Sequence, residues 1–244
     1  MTKAFWLLAS ACFALIVILM SLAKAQSFDI DAYIDNANVL VGDEGGDYCS
    51  GTIIEHDAKV YILTAQHCVN SRIRREEKEF VDEKTGEVTK KTIEKKLDMV
   101  ISKNVTKDYE KISRQSYVAK IWRTDSEHDI ALLTVVDPEW KPGFTAKLAP
   151  DSYKLRRGET VFIIGNPGVE LDNSITKGIV SATERILPLD GKKMRVFQTD
   201  APAIGGNSGW SVLNDRGEIV GVLSAGMRGT TITFAVPVSV VKKL

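Results

Sequence analysis

A surplus of either charge is missing from this chain: its 244 residues hold 32 Lys and Arg against 32 Asp and Glu. With no basic stripe carrying interleaved aromatics, that balance excludes a field-driven partner such as nucleic acid. Histidine is scarce, at three residues. None stands at ligand spacing with cysteines or carboxylates, so no metal and no other cofactor is expected. No internal repeat occurs, and glycine and proline are not in excess, which leaves an ordinary packed core as the expectation. An alternating strand–helix pattern is missing too, which argues against a parallel α/β sheet.

Long apolar runs are confined to the N-terminus. Phe5 to Leu22 is almost purely apolar, follows Lys3 and ends at Ala23-Lys24-Ala25. This is the layout of a secretory signal peptide over residues 1–25, with the mature chain starting near Gln26, secreted or periplasmic. The run also approaches the ~20 apolar residues that span a bilayer, so the alternative is an uncleaved anchor helix. Only in that case does a membrane become a partner. Of the three cysteines, Cys12 lies inside this run. In an exported chain Cys49 and Cys68 meet oxidising conditions, and a disulfide between them is expected, closing a loop of about 20 residues. Two free buried thiols are the alternative.

Downstream the chain is all-β. Short apolar runs such as Asn38–Val41, Gly51–Ile54, Lys59–Thr64, Tyr117–Trp122, Ile130–Val136 and Thr160–Gly165 alternate with Gly, Asp, Asn and Pro turns. More follow at Lys177–Ala182, Met194–Gln198, Trp210–Leu213, Glu218–Leu223 and Thr231–Val236. Many short strands of this kind indicate antiparallel barrels or sandwiches. Arg72 to Lys111 stands apart, dense in Lys and Glu. It reads as a solvated hairpin insertion turning at Asp82–Glu87, or as a loop that guards substrate. Within it, Asn104-Val105-Thr106 fits a glycosylation acceptor, meaningful only in a eukaryotic secretory host.

Three segments carry chemistry: Thr64-Ala65-Gln66-His67-Cys68, Glu127-His128-Asp129 before the apolar run Ile130–Leu133, and Gly205-Gly206-Asn207-Ser208-Gly209. A serine hydroxyl is a poor nucleophile at neutral pH. It needs a histidine to take its proton, a carboxylate to hold that imidazole, and donors for the developing oxyanion. His67 follows a strand-like run, so its side chain can face a cleft. Asp129 heads an apolar strand, where a carboxylate is costly unless bonded. Asp125 reads as a turn cap, and His56 and His128 as ordinary structural residues.

In order and setting the three segments resemble the chymotrypsin-like serine proteases. The resemblance implies two six-stranded antiparallel barrels, about 36–140 and 155–244 within a protease domain of 26–244, with the active site in the cleft between them. It implies His67 as general base and acid, Asp129 as its orienter, Ser208 as nucleophile, and the Gly206 and Ser208 amides as the oxyanion hole. Asn207 carries no charge for a new N-terminal ammonium to pair with, so zymogen activation of the trypsin type is not expected.

Gln198 to Gly209, Ile164-Gly165-Asn166-Pro167-Gly168, Gly178-Ile179-Val180-Ser181 and Thr233-Phe234-Ala235-Val236-Pro237 resemble HtrA/Deg-type proteases more narrowly. Two departures stand out: Trp210 replaces the small residue usual after Ser-Gly, and the sequence stops at Leu244 with no room for that family's PDZ domain. By the resemblance, Pro202 and Ala203 border the specificity pocket, Ile232 narrows its floor, and Ser224-Ala225-Gly226 pairs with substrate backbone as an added strand. The expected partner is a polypeptide cleaved after small-to-medium apolar residues. The competing expectation is a binding or chaperone-like module that keeps the fold with little or latent turnover.

Overall fold

The computed structural model describes residues 28–42, 48–107, 110–166, 173–189, 192–203 and 208–244. The signal-peptide reading of residues 1–25 lies outside them. No helix among the described residues is long and apolar enough to cross a membrane.

Six strands close into a first barrel: β1 (Asn38–Gly42), β2 (Tyr48–His56), β3 (Lys59–Ala65), β6 (Met99–Lys107), β7 (Glu110–Asp125) and β8 (Ile130–Val135), ordered β1-β2-β3-β8-β7-β6. Between β3 and β6 stand a 3-10 turn, Gln66–Arg72, and a separate two-stranded hairpin, β4 (Ile73–Val81) with β5 (Val88–Lys96). A second closed barrel, ordered β10-β11-β14-β13-β12-β9, holds β9 (Thr160–Gly165), β10 (Ser174–Leu189), β11 (Lys192–Thr199), β12 (Ser211–Leu213), β13 (Ile219–Gly226) and β14 (Thr233–Pro237). Every neighbouring pair is antiparallel.

The period-two alternation of a strand explains how the barrels join. On β3, Ile62 fills the first barrel, while Tyr61 and Leu63 belong to the cluster centred on the second. On β8, Ala131 and Leu133 point inward and Ile130 and Leu132 point across to the second barrel. Both faces of these strands are buried, hence their uninterrupted apolar sequences. The ends of β3 and the start of β8 therefore lie against the second barrel.

A helix, Ile30–Ala37, precedes β1 and is capped by Asp29, whose carboxylate accepts from the Ala32 amide at 2.9 Å. This satisfies one of the amides a helix start leaves bare. Its Tyr33 reaches between the barrels, beside the bonded hydroxyls of Thr52 on β2 and Ser211 on β12. Phe28 packs on Gly217, where a Cβ would collide with its ring. The segment thus straps one barrel to the other.

The charged stretch needs a correction. The insertion is a hairpin turning where expected, but it ends near Lys96; Met99–Lys107 is a barrel strand with Met99 and Ile101 in the core. On the face opposite Ile101, Ser102 is buried and bonds Ser116 at 2.8 Å, and such polar residues alternating with the core ones disguised the strand as loop. Asn104 is buried on that strand, with its Oδ1 accepting from Arg114 Nε at 3.3 Å. It therefore offers no open glycosylation acceptor.

Candidate active site

His67 leaves β3 on the first turn of the 3-10 segment, one residue from Cys68, which is joined to Cys49 on β2. The disulfide holds that turn to the barrel wall. Five bonds then tie the turn to Asp129 and Asp129 to the second barrel. The Gln66 amide donates to the Asp129 carbonyl at 3.1 Å, and the His67 amide to Asp129 Oδ1 at 2.9 Å. The His67 ring nitrogen Nδ1 lies 3.0 Å from Oδ1 and 2.8 Å from Oδ2. From β13, the Ser224 hydroxyl donates to Oδ2. A carboxylate acceptor places the imidazole proton on Nδ1, which leaves Nε2 as the nitrogen able to accept one.

The backbone of Asp129 is held at φ 56°, a left-handed conformation that costs a non-glycine residue energy. Asp125 supports that turn: it accepts from the amides of Glu127 at 2.9 Å and His128 at 3.0 Å, and from His128 Nδ1 at 2.7 Å. Its expected capping role is thus observed.

Ser208 approaches from the second barrel. Its carbonyl accepts from the Ser50 amide of β2 at 3.0 Å, and the Gly209 amide donates to the Leu223 carbonyl at 2.9 Å. Gly209 has φ 83°, and a Cβ there would collide with Ser50 O and Thr64 Oγ1. Only glycine lets the chain after Ser208 press against the end of β3, next to His67. Trp210, the departure noted in the sequence, is buried against Gly165, where a side chain would collide with the indole.

Two cavities meet at Ser224 and Ala225. One, of about 630 Å³, is lined by His67, Asp129, Arg75 and Glu127 among others; the second, of about 770 Å³, is lined by Ser208, Ala203, Gly226, Arg228 and Thr231 among others. His67 is 42 % exposed and Asp129 16 %, so the ring is reachable while its partner is sheltered. Pro202 and Ile232 are not among the residues lining either cavity. The Pro202 carbonyl accepts from Thr176 Oγ1 at 2.8 Å, and Ile232 packs on the core of the second barrel. Gly206 falls outside the described residues. Sequence reasoning assigned Ser224 to substrate backbone and missed its bond to Asp129; a serine inside a strand carries no signal for such a role. Among the described residues Cys49, His67 and Cys68 are the one group close enough to hold a metal ion, but the sulfurs are bonded to each other and offer no thiolate.

A family model described as a trypsin-like peptidase domain matches residues 49–222, well over half of the chain. The chain belongs to the trypsin-like peptidase family. Within that family, its similarities include proteins named HtrA-like and DegP-like. It is 32 % identical over 143 residues to a serine protease HtrA-like of Staphylococcus aureus, covering 54 % of this chain and 18 % of that protein. It is 43 % identical over 133 residues to a probable periplasmic serine endoprotease DegP-like of Pseudomonas putida, covering 52 % of this chain and 26 % of that protein. The peptidase-domain match thus spans about a quarter or less of these relatives' own length. In fold it matches the crystal structure of the MamO protease domain from Magnetospirillum magneticum (apo form), with a TM-score of 0.64 and 21 % identity, over 86 % of this chain and 96 % of that one.

Proposed function

We propose that this peptidase domain is an exported serine endopeptidase that cleaves polypeptides through an acyl-enzyme. The observation that carries the reading is the His67–Asp129 pair, set in a cleft whose shared wall, Ser224–Ala225, continues to Ser208. Ser208 Oγ attacks the scissile carbonyl and passes its proton to His67 Nε2. Asp129 keeps the other ring nitrogen protonated and stabilises the imidazolium. The Gly206 and Ser208 amides receive the oxyanion. Collapse of the tetrahedral species expels the amine, protonated by His67, and a water activated by the same ring then releases the acid.

Substrate backbone adds to β13. Strand β12 ends opposite Val222, at Ser211, so beyond Leu223 one edge of β13 has no described strand beside it. Specificity for small-to-medium apolar side chains is supported by the lining of the second cavity: Ala203, Leu223, Ala225, Gly226 and Met227, with Arg228 the one charged residue among the described lining. A cation before the scissile bond would meet like charge there. Export is supported by the residue 1–25 pattern and by a relative whose name includes periplasmic.

Treatment of the purified protein with a fluorophosphonate tests the mechanism. Ser208 is expected to be labelled, and Ser208→Ala to lose both label and turnover of unfolded casein. A folded wild-type protein that takes no label and leaves casein intact overturns the reading in favour of a binding module. A cleavage profile dominated by Lys or Arg before the cut overturns the specificity alone.

A further inference from the structure

The proposed nucleophile and its base stand on different barrels, so their approach depends on what fixes one barrel against the other. A buried polar network does this within reach of Ser208. Ser50, 0 % exposed, uses each of its polar groups: its amide donates to the Ser208 carbonyl at 3.0 Å, its carbonyl accepts from Thr64 Oγ1 at 2.7 Å, and its Oγ accepts from the Asn166 amide at 2.7 Å. Asn166, 1 % exposed, lies just past the end of β9 in the second barrel. Its Nδ2 donates to Asn38 Oδ1 at 3.2 Å and the Val39 carbonyl at 2.9 Å. Its Oδ1 accepts from Asn38 Nδ2 at 3.1 Å and the Asn173 amide at 2.9 Å. Asn38 Nδ2 also donates to Asn173 Oδ1 at 2.9 Å. Two donors and two acceptors on one side chain are all used, which among buried residues only an amide manages.

We propose that Ser50, tied through Asn166 to Asn38, is a positioning residue for Ser208. This rests on the reading of Ser208 as nucleophile. Ser50 touches neither substrate nor the reacting atoms; it acts by holding the main chain of Ser208 at the depth where Oγ meets His67. Hydroxyl and amide of Ser50 pull on the second barrel at two points, Asn166 and Ser208, so a shift at one is felt at the other. Removing the hydroxyl strands the buried Asn166 N–H without an acceptor, and the local backbone must move to recover one. Misplacement by a fraction of an ångström suffices to slow acyl transfer while leaving substrate contacts intact.

The test compares Ser50→Ala, Asn38→Ala and their combination with the wild type in the full chain. The readouts are the fluorophosphonate labelling rate of Ser208, kcat and KM on a peptide substrate, and thermal unfolding. Ser50→Ala is expected to lower labelling and kcat together by about tenfold, with KM within about twofold. Asn38→Ala, which contacts neither Ser208 nor Ser50, is expected to slow labelling too, and the double variant to be less impaired than the product of the two effects. A folded Ser50→Ala labelled at the wild-type rate, even with a lowered unfolding temperature, reduces the network to structural glue and overturns the proposal. Should Ser50→Ala fail to fold, wild-type labelling of Asn38→Ala overturns it alone. An unlabelled wild type instead overturns the nucleophile reading, and this inference with it.

Discussion

Two histidine–aspartate pairs stand side by side in this molecule, on Asp125 and Asp129, and the contrast between them separates structure from chemistry. In both, a carboxylate accepts from ring Nδ1 and from a backbone amide. Asp125 bonds His128, three residues on, and closes a turn. Asp129 bonds His67, 62 residues away, and joins the start of β8 to the end of β3. Only the second pair receives a donor from the other barrel, Ser224, and only it borders the cavity that leads to Ser208. The His128 ring faces a different cavity, beside Lys154 and Arg195. The chemistry of the pair is thus common to both; access to an opposing nucleophile belongs to one.

The comparison breaks most visibly at Asp129. Asp129→Asn leaves the shape intact but lets the imidazole settle in the wrong tautomer, and kcat is expected to fall roughly 10⁴-fold. Asp125→Asn should leave kcat within about twofold, since its histidine reaches no substrate; equal losses in the two variants would erase the distinction. Next comes the brace that only the long-range pair has. Replacing Cys49 and Cys68 together by alanine is expected to cost ~3 kcal/mol of stability in the chain-entropy model, read by denaturant unfolding. Labelling of Ser208 should slow as well, because the His67 turn is released from β2.

A smaller effect is expected from Ser224→Ala. The Asp129 carboxylate loses one charge-assisted donor but keeps two others from His67, so kcat should drop by roughly tenfold with the fold unchanged. The smallest effect is a pH dependence at Asp125. Burial alone would raise the Asp125 carboxyl, but hydrogen bonds from the His128 ring and amide outweigh it and hold the group below the usual carboxylate range. A depressed folded-state pKa contributes stability above the unfolded value, near ~4, and loses it as pH falls through the folded one. Unfolding followed below about pH 4 should therefore show a shallower acid loss in Asp125→Asn than in the wild type. Parallel acid limbs would assign the depressed carboxyl no part in stability.

Much of this was legible in the chain because it is local. His67, Asp129 and Ser208 each sit in a short segment with its own grammar: a strand end, an apolar strand start, a glycine turn. Asp125 read as a cap for the same reason. Strand β6 was hidden because polar Ser102 and Asn104 alternate with its core residues, and their burial is compensated by partners on β7 that no local pattern announces. Ser224 and Ser50 were hidden likewise. Each looks like any polar residue on a strand until the strand's neighbour is known.

By itself the sequence determined the all-β character, the order of most strands, the expected cystine, and which imidazole, acid and alcohol were available, since turn chemistry and period-two burial act over a few residues. Tertiary structure alone decided that β3 and β8 present their second faces to the other barrel, that Ser224 supports Asp129, and that Ser50 and Asn166 seat the chain at Ser208. Those outcomes hang on hydrogen bonds between residues scores of positions apart, whose partners exist only once both barrels have closed and excluded water from the seam.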